Sequence, residues 1–478
     1  MQGRDLNKTP HTVFLAVLAV LVLATYLNTL RNEFVWDDVS SVQRNPYVQS
    51  LAHIPTLFVT DQHISGRGQG NFYRPLVATS FAVDYAIWGQ NPLGYHITNI
   101  LMHMAVVVCL YFVYLRMCGG GPNTKPVAAT AAGIYAVLPV NTESVAYISG
   151  RADMMDAVFG LAAFLALHKA RTGPRPAVWY TASILALVAA YLSKEFAVVF
   201  PILILIMDLA ADISPRGKPR AIYHAASFAL LAIYLVLRAT VLNFAESVPT
   251  DSVPLLDRAG MFFQIIATYA GMLLWPVGLH MERSIGELNG LFVCAGVILV
   301  GAWIAGIVWN RRTGNRAVVL GLLWAAITIV PVSGLLPLNA TIAEHWLYVP
   351  AMGITLAAVA LGMRILPAGG PVFLKWAIFG VPLLLMAAIS ARQNTVWHDN
   401  ETLFVHTLRY APDSARVHYN LGVVYEGQGR LAEAAAQFEE TLRLDPEDLY
   451  ARLDLAGLAS RAYRSSGSSL RVSSNWAA

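Results

Sequence analysis

Charge is what this sequence has least of. Only 13% of its 478 residues are Asp, Glu, Lys or Arg, against about 25% in a soluble globular domain. Together with 56% hydrophobic residues, that shortfall excludes an ordinary water-soluble enzyme, a disordered chain and a collagen-like fibre. Cysteine is almost missing. Cys109, Cys118 and Cys294 lie in or beside apolar runs, form neither a metal-ligand spacing nor a disulfide framework, and say nothing about redox compartment. The formal net charge is only +4, so attraction to nucleic acid is not indicated.

What the chain has instead is long apolar stretches and a mean hydropathy of +0.53. A membrane-spanning helix needs about 20 mostly apolar residues. Eleven such runs lie near 13–30, 95–116, 127–139, 154–170, 179–193, 196–210, 222–242, 291–309, 317–332, 347–365 and 373–391. The first is long, lacks a small-residue cleavage site and opens into Asn32-Glu33-Phe34, so it reads as a retained helix and not a signal peptide. A twelfth candidate, 260–279, carries Gln264, Gly271 and Trp275-Pro276-Val277-Gly278, an interfacial aromatic with helix breakers. The pattern predicts an all-α polytopic membrane bundle of about 11 transmembrane helices over 1–392, with a first outer loop at 31–94.

Loop charge orients the bundle. If 260–279 does not cross, one side gathers 15 basic residues: Arg4, Lys8, Arg116, Lys125, Lys169, Arg171, Arg175, Arg216, Lys218, Arg220, Arg311, Arg312, Arg316, Arg364 and Lys375. If it does cross, the last five change sides. The first arrangement is the cleaner. It predicts a cytoplasmic N-terminus, with the longest loops and the polar C-terminal part on the extracytoplasmic face.

That C-terminal part, 393–463, reads as a short helical repeat domain. Residues 415–448 fit one tetratricopeptide unit of 34 residues, with His418, Leu421-Gly422, Tyr425, Gly429, Ala434, Phe438 and Pro446 at the signature positions. Pro412 and Phe404 stand 34 residues before Pro446 and Phe438, so 399–412 reads as the second helix of a preceding half-repeat. A third unit begins at Leu449 and dissolves after Arg461, leaving 464–478 as a disordered tail. Such an array offers either a protein- or peptide-docking surface or a structural stub.

Several polar clusters fall on the predicted outer face. Phe34-Val35-Trp36-Asp37-Asp38 pairs two carboxylates beside an aromatic just beyond the first helix. Functionally this is a general base with an orienting or cation-binding partner; as plain structure it is a solvated turn or a helix cap. In an extended loop Asp37 and Asp38 point to opposite sides, which favours Asp38, sharing its side with Trp36, as the residue facing the site. Asn71-Phe72-Tyr73-Arg74-Pro75 sets one Arg among aromatics, either a phosphate ligand or an interfacial anchor. The segment 138–153 carries Glu143, Arg151 and Asp153, of which the last two can simply pair. Lys194-Glu195 is an internal pair or an added cation, and Glu344-His345 follows a loop without Lys or Arg. His96 and His103 share a helix face and read as packed groups.

In this order, the Phe34–Asp38 motif, Asn45-Pro46, Tyr73-Arg74-Pro75, Gly94-Tyr95-His96, the 139–153 segment, Lys194-Glu195 and the 343–353 segment resemble the transmembrane and tetratricopeptide-repeat O-mannosyltransferase family and its bacterial relatives. That family belongs to the C-type glycosyltransferase (GT-C) superfamily. The resemblance implies a sugar transferase, mannose favoured, working from a polyprenyl-phosphate donor onto an acceptor hydroxyl of a protein or glycan by inverting displacement. It implies a catalytic acid at Asp37 or Asp38, donor-phosphate binding by Arg74, Arg151 and Lys194, and support from Glu143, Asp153, Glu195, Glu344 and His345. No cofactor or metal site follows from it, and a divalent cation is left open. The chain departs from the family where Leu138-Pro139 stands for His-Pro and Glu344-His345 for Glu-Arg. The competing readings are a non-catalytic scaffold that docks proteins on its repeats and a lipid or solute transporter.

Overall fold

In hydrocarbon a backbone must satisfy its own hydrogen bonds, and each of the eleven apolar runs is helical in the computed structural model of this chain. The structure describes residues 9–62, 71–121, 123–211, 218–243, 254–335, 338, 340–366 and 372–466. Among these there is no β-strand. The chain divides into two units, Met1–Leu279 with Ser284–Thr395, and His280–Arg283 with Val396–Ala478.

The first unit contains α1 (His11–Tyr26), α2 (Pro75–Trp88), α3 (Pro92–Cys118), α4 (Thr124–Ala136), α5 (Arg151–Thr172), α6 (Pro176–Tyr191) and α7 (Phe200–Ala211). It continues with α8 (Lys218–Ala239), α9 (Leu255–Leu274), α10 (Gly290–Arg312), α11 (Arg316–Ile329), α12 (Tyr348–Ile365) and α13 (Val381–Asn394). Among the described residues, 6 helical segments are long and apolar enough to cross a membrane: His11–Arg31, Pro92–Cys118, Arg220–Ala239, Gly290–Arg312, Glu344–Ile365 and Ala377–Trp397. Pro176–Tyr191 and Arg316–Val332 are shorter apolar helices. Neighbours in sequence pack as neighbours in space, α5 against α6, α11 against α12 and α3 against α4, and α3 also packs against α5. Small residues allow the closest of these approaches. A methyl group on Gly321 or Gly353 would run into the other's carbonyl oxygen where α11 crosses α12.

Helix α2 departs from the expected open loop at 31–94. Its 14 residues are too few to span a bilayer and include Asp84, so hydropathy does not reveal it. Pro75 occupies its first turn, where a missing N–H is tolerated. Val77, Ala78 and Phe81 pack with Phe34, Val42, Tyr95 and Ile148 in a satellite core over the bundle end.

Hydrogen bonds sort the two ends of the array. At one end Lys125 donates to Thr9 O at 2.9 Å, Arg316 to Arg116 O at 3.5 Å, and Arg364 to Thr313 Oγ1 and O at 3.2 Å. The Arg171–Asp208–Arg220 cluster joins the same end through His168, which feels both Arg116 and Arg171. At the opposite end Asn28 donates to Ala391 O and Asn32 to Asn394 O. There too, Gln393 donates to Leu279 O and Arg238 binds Asn71. The chain thus enters the segment containing α9 after Leu242 and leaves it at Leu279 at one and the same end. Tyr269, within α9, donates to Val332 O, also at that end.

The second unit holds α14 (Asn400–Leu408), α15 (Ala415–Gly427), α16 (Leu431–Leu444) and α17 (Leu449–Ser466). Gly422 exists for its partner: a Cβ there would strike the Phe438 ring. Leu421, Ala434 and Phe438 are buried between α15 and α16, and Ala451, Leu455 and Leu458 bury one face of α17. The third unit continues as helix to Ser466, five residues beyond Arg461, where the sequence suggested that it dissolves. The remainder of the tail, 467–478, lies outside the described residues.

Candidate active site

Asp37 and Asp38 open a short helical segment that runs to Gln43, just after a turn at Trp36 and not in an extended loop, and this reverses the expected orientation. Trp36 takes the left-handed backbone conformation, with φ of 50°, and breaks the strand-like alternation on which that expectation rested. Asp38 is completely buried. Its Oδ1 accepts from the Ser149 amide at 2.8 Å and hydroxyl at 2.6 Å, and its Oδ2 accepts from the Val35 amide at 3.1 Å. Burial pushes the Asp38 carboxyl up to about 7, although the bonds from Ser149 and Val35 pull the other way. Asp37 is only half-buried. Asp38 is therefore the clamp between the first loop and the segment before α5, and Asp37 is the carboxylate that keeps access to solvent.

Tyr147 completes this corner. Its ring lies parallel to the Trp36 indole, centroids 5.9 Å apart at 19°. Burial, and then the charges of Asp37 and Asp38, raise its phenol well above the ordinary value. Four residues earlier on the same segment, Glu143 holds His345. The His345 amide donates to Oε2 at 2.9 Å and Nδ1 pairs with Oε1 at 2.7 Å. Glu143 and Glu344 are buried, and His345 is partly exposed.

The basic residues separate into different roles. Arg151 is fully buried. It donates to Asn99 Oδ1 at 2.8 Å, Ser80 Oγ at 3.1 Å and Tyr95 O at 3.1 Å, and pairs with Asp84 at 2.6 Å. A guanidinium committed to four protein partners in the interior has nothing to offer a phosphate, so the phosphate-binding expectation for Arg151 is corrected: it pins α2 and α3 to the start of α5. Nor does it pair with Asp153. Residues two apart on a helix do not face each other, and Asp153 instead pairs with Lys194. Both oxygens of fully buried Asp156, one turn along α5, lack a hydrogen-bond partner among the described residues, and Lys194 is the charge that acts on it most strongly. Buried and paired with Asp153, Lys194 is committed within the fold, which corrects its phosphate-binding expectation too.

Arg74 is the exception. Nε donates to Glu195 Oε2 at 3.0 Å, and the guanidinium lies over the Phe72 ring at 4.6 Å. Glu195 Oε1 accepts from the Tyr73 amide at 3.0 Å. Arg74 keeps 16% of its side chain exposed, and among the described residues its Nη groups have no hydrogen-bond acceptor within the protein. Arg238 stands close by on α8, donating to Asn71 Oδ1 and O at 3.1 and 2.7 Å. Sequence reasoning overlooked Asn99, Asp156 and Arg238, which are polar residues inside apolar runs, and Asp84, which lies on the helix that hydropathy does not reveal. It overlooked Ser149 because a lone Ser in a loop carries no signal. No three His, Cys, Asp or Glu side chains among the described residues are grouped to hold a metal ion.

Comparison with known proteins bears on the whole chain. A tetratricopeptide repeat model matches residues 415–448. Protein O-mannosyl-transferase F38B6.6 of Caenorhabditis elegans is 27% identical over 90% of this chain and 63% of its own length. Protein O-mannosyl-transferase TMTC3 is 25% identical in Mus musculus, over 94% of this chain and 53% of its own, and 24% identical in Homo sapiens, over 92% and 52%. The chain therefore spans between about half and two-thirds of the curated relatives it matches. No solved structure matches. By these matches the chain is a relative, over nine-tenths of its length, of the transmembrane and tetratricopeptide-repeat protein O-mannosyl-transferases.

Proposed function

We propose that the chain is an integral membrane glycosyltransferase. In this reading it moves a sugar, mannose favoured, from a polyprenyl-phosphate donor to an acceptor hydroxyl on the extracytoplasmic face. The observation that carries it is the corner at Asp37: a partly exposed carboxylate on a turn that Asp38, Ser149 and Val35 hold rigidly, at the same end of the bundle as Arg74. The acceptor oxygen attacks the anomeric carbon and its proton passes to Asp37. The bond from that carbon to the phosphate oxygen breaks, and the polyprenyl phosphate leaves with the electron pair. One displacement inverts the anomeric centre. A phosphate is already a good leaving group, so acceptor activation is the demanding part. Arg74 meets the charge growing on the departing phosphate. The relatives' name, protein O-mannosyl-transferase, supports a protein acceptor, whose Ser or Thr would supply the hydroxyl, and the repeat unit would give such a protein a surface to dock on.

The test is transfer by purified protein in lipid nanodiscs supplied with several polyprenyl-phosphate sugars. Arg74→Ala should bind the donor about ten- to a hundredfold more weakly, the range for losing a hydrogen bond to a charged group. Arg74→Lys should recover little if the contact is bidentate. Donor binding equal to wild type in Arg74→Ala would leave Arg74 as an anchor for Glu195 alone.

Sidedness has its own test. The basic end of the bundle reads as cytoplasmic by loop charge, and the Asp37 end as external. A reporter fused after Asp448 should behave as external. Cytoplasmic labelling there would invert the topology of the repeat unit.

A further inference from the structure

We propose that the Trp36 indole is the platform on which the hexose of the lipid-linked donor lies, an inference that rests on the donor reading above. Trp36 and Arg175 are the non-glycine residues with positive φ among the described residues. Left-handed backbone is strained for a bulky L-residue, and Gly, Asn or Asp would take the place with little penalty. A bulky aromatic has no backbone reason to be there. The turn is nevertheless fixed around it: the Asp38 amide donates to Val35 O at 3.0 Å and the Val39 amide to Trp36 O at 3.2 Å, while the Asp38 carboxylate closes onto Val35 and Ser149. Strain maintained in this way, beside a candidate catalytic group, points to the side chain and what it touches.

The side chain is suitably backed. Tyr147 is 7% exposed and stacks on the indole, so the ring cannot swing aside. Trp36 itself is half-buried, and the next residue is the half-buried Asp37. A pyranose carries hydroxyls at its rim and C–H groups on its faces. An aromatic surface takes such a face without directed hydrogen bonds and leaves the anomeric carbon to the neighbouring carboxylate side. As the bond to phosphate lengthens, the sugar gains positive, oxocarbenium-like charge. Trp presents the most effective negative ring face among the aromatic residues to a cation.

The experiment compares two lipids, polyprenyl-phosphate mannose and bare polyprenyl phosphate, binding to wild type, Trp36→Gly, Trp36→Asn and Trp36→Phe in nanodiscs. Gly and Asn both accept the left-handed turn, so one of them should keep the wild-type melting profile. Expected is about a five- to tenfold loss of affinity for the mannosyl lipid, no change for the bare lipid, and partial recovery in Trp36→Phe. An equal loss for both lipids, or a sugar preference that survives in Trp36→Gly and Trp36→Asn, overturns the platform alone. A wild-type protein that binds the two lipids equally removes the donor reading, and the platform with it.

Discussion

Asp37→Asn should slow sugar transfer by about 10²–10⁴-fold, the usual range for losing a general base, with donor affinity and melting profile close to wild type. Asp37 is half-buried where Asp38 is fully buried, so its loss should be felt by the reaction more than by the fold. Asp38→Asn should behave in the opposite way. Its carboxylate accepts three protein hydrogen bonds in the interior, and an amide can match them only by turning a donor against a donor. A buried group left unsatisfied costs about 1–3 kcal/mol, so the melting point should fall, and transfer with it to the extent that the turn loosens. The pH dependence separates the two further. Burial raises the Asp38 carboxyl to about 7 in the folded protein, above its unfolded value of about 3.9. The native state therefore holds more protons in that interval. The stability Asp38 contributes is present below about pH 4 and is lost as pH rises through 7. Wild-type melting should decline over that window, and Asp38→Asn should flatten the decline. Transfer rate, donor affinity and melting, measured on both variants at fixed pH, decide the matter: an inactive but well-folded Asp38→Asn beside an active Asp37→Asn would exchange the two roles.

The difference between these neighbours shows where sequence reasoning stops. Apolar runs are legible because a spanning segment must be mostly compatible with hydrocarbon: the eleven runs are helical, and among the described residues 6 helical segments are long and apolar enough to cross. The repeat is legible because Gly422 and Phe438 must fit each other at a fixed spacing. Hydrogen bonds gather Arg116, Lys125, Arg316 and Arg364 at one end of the bundle, the clustering on which the loop-charge reading rests. Side-chain direction in a turn is different. It depends on one dihedral angle, here at Trp36, which Ser149 helps to fix from 113 residues further along the chain. The same limit applies to α2, whose amphipathic face became meaningful only once Phe34, Tyr95 and Ile148 were gathered over it.

Arg151 carries the largest expected effect on stability. By sequence it resembles a phosphate ligand as well as Arg74 does: a cation beside a polar loop at the end of an apolar run. In the fold the two differ in what they touch. Arg151 has no exposed side-chain surface, and its partner Asp84 has 6%. Asn99, which accepts from Arg151 Nε, itself donates to the carbonyls of Val145, Tyr147 and Ile148, so the pair supports the segment that carries Ser149 and Tyr147. Removing one member of a buried ion pair costs about 3–5 kcal/mol, because the other charge is left uncompensated. That is a large part of the 5–15 kcal/mol by which a domain is usually stable. Arg151→Ala should therefore lose most of its folded yield, with melting lowered far more than in Arg74→Ala. Replacing both partners, as Arg151→Met with Asp84→Leu, should restore much of the melting point, since an apolar pair of similar volume is often neutral in such a site. Donor binding should recover along with it. A thermal and donor-binding comparison of Arg151→Ala, Asp84→Leu and the double variant tests this. Melting unchanged in Arg151→Ala, with donor affinity alone reduced, would return Arg151 to the phosphate site and refute the structural role.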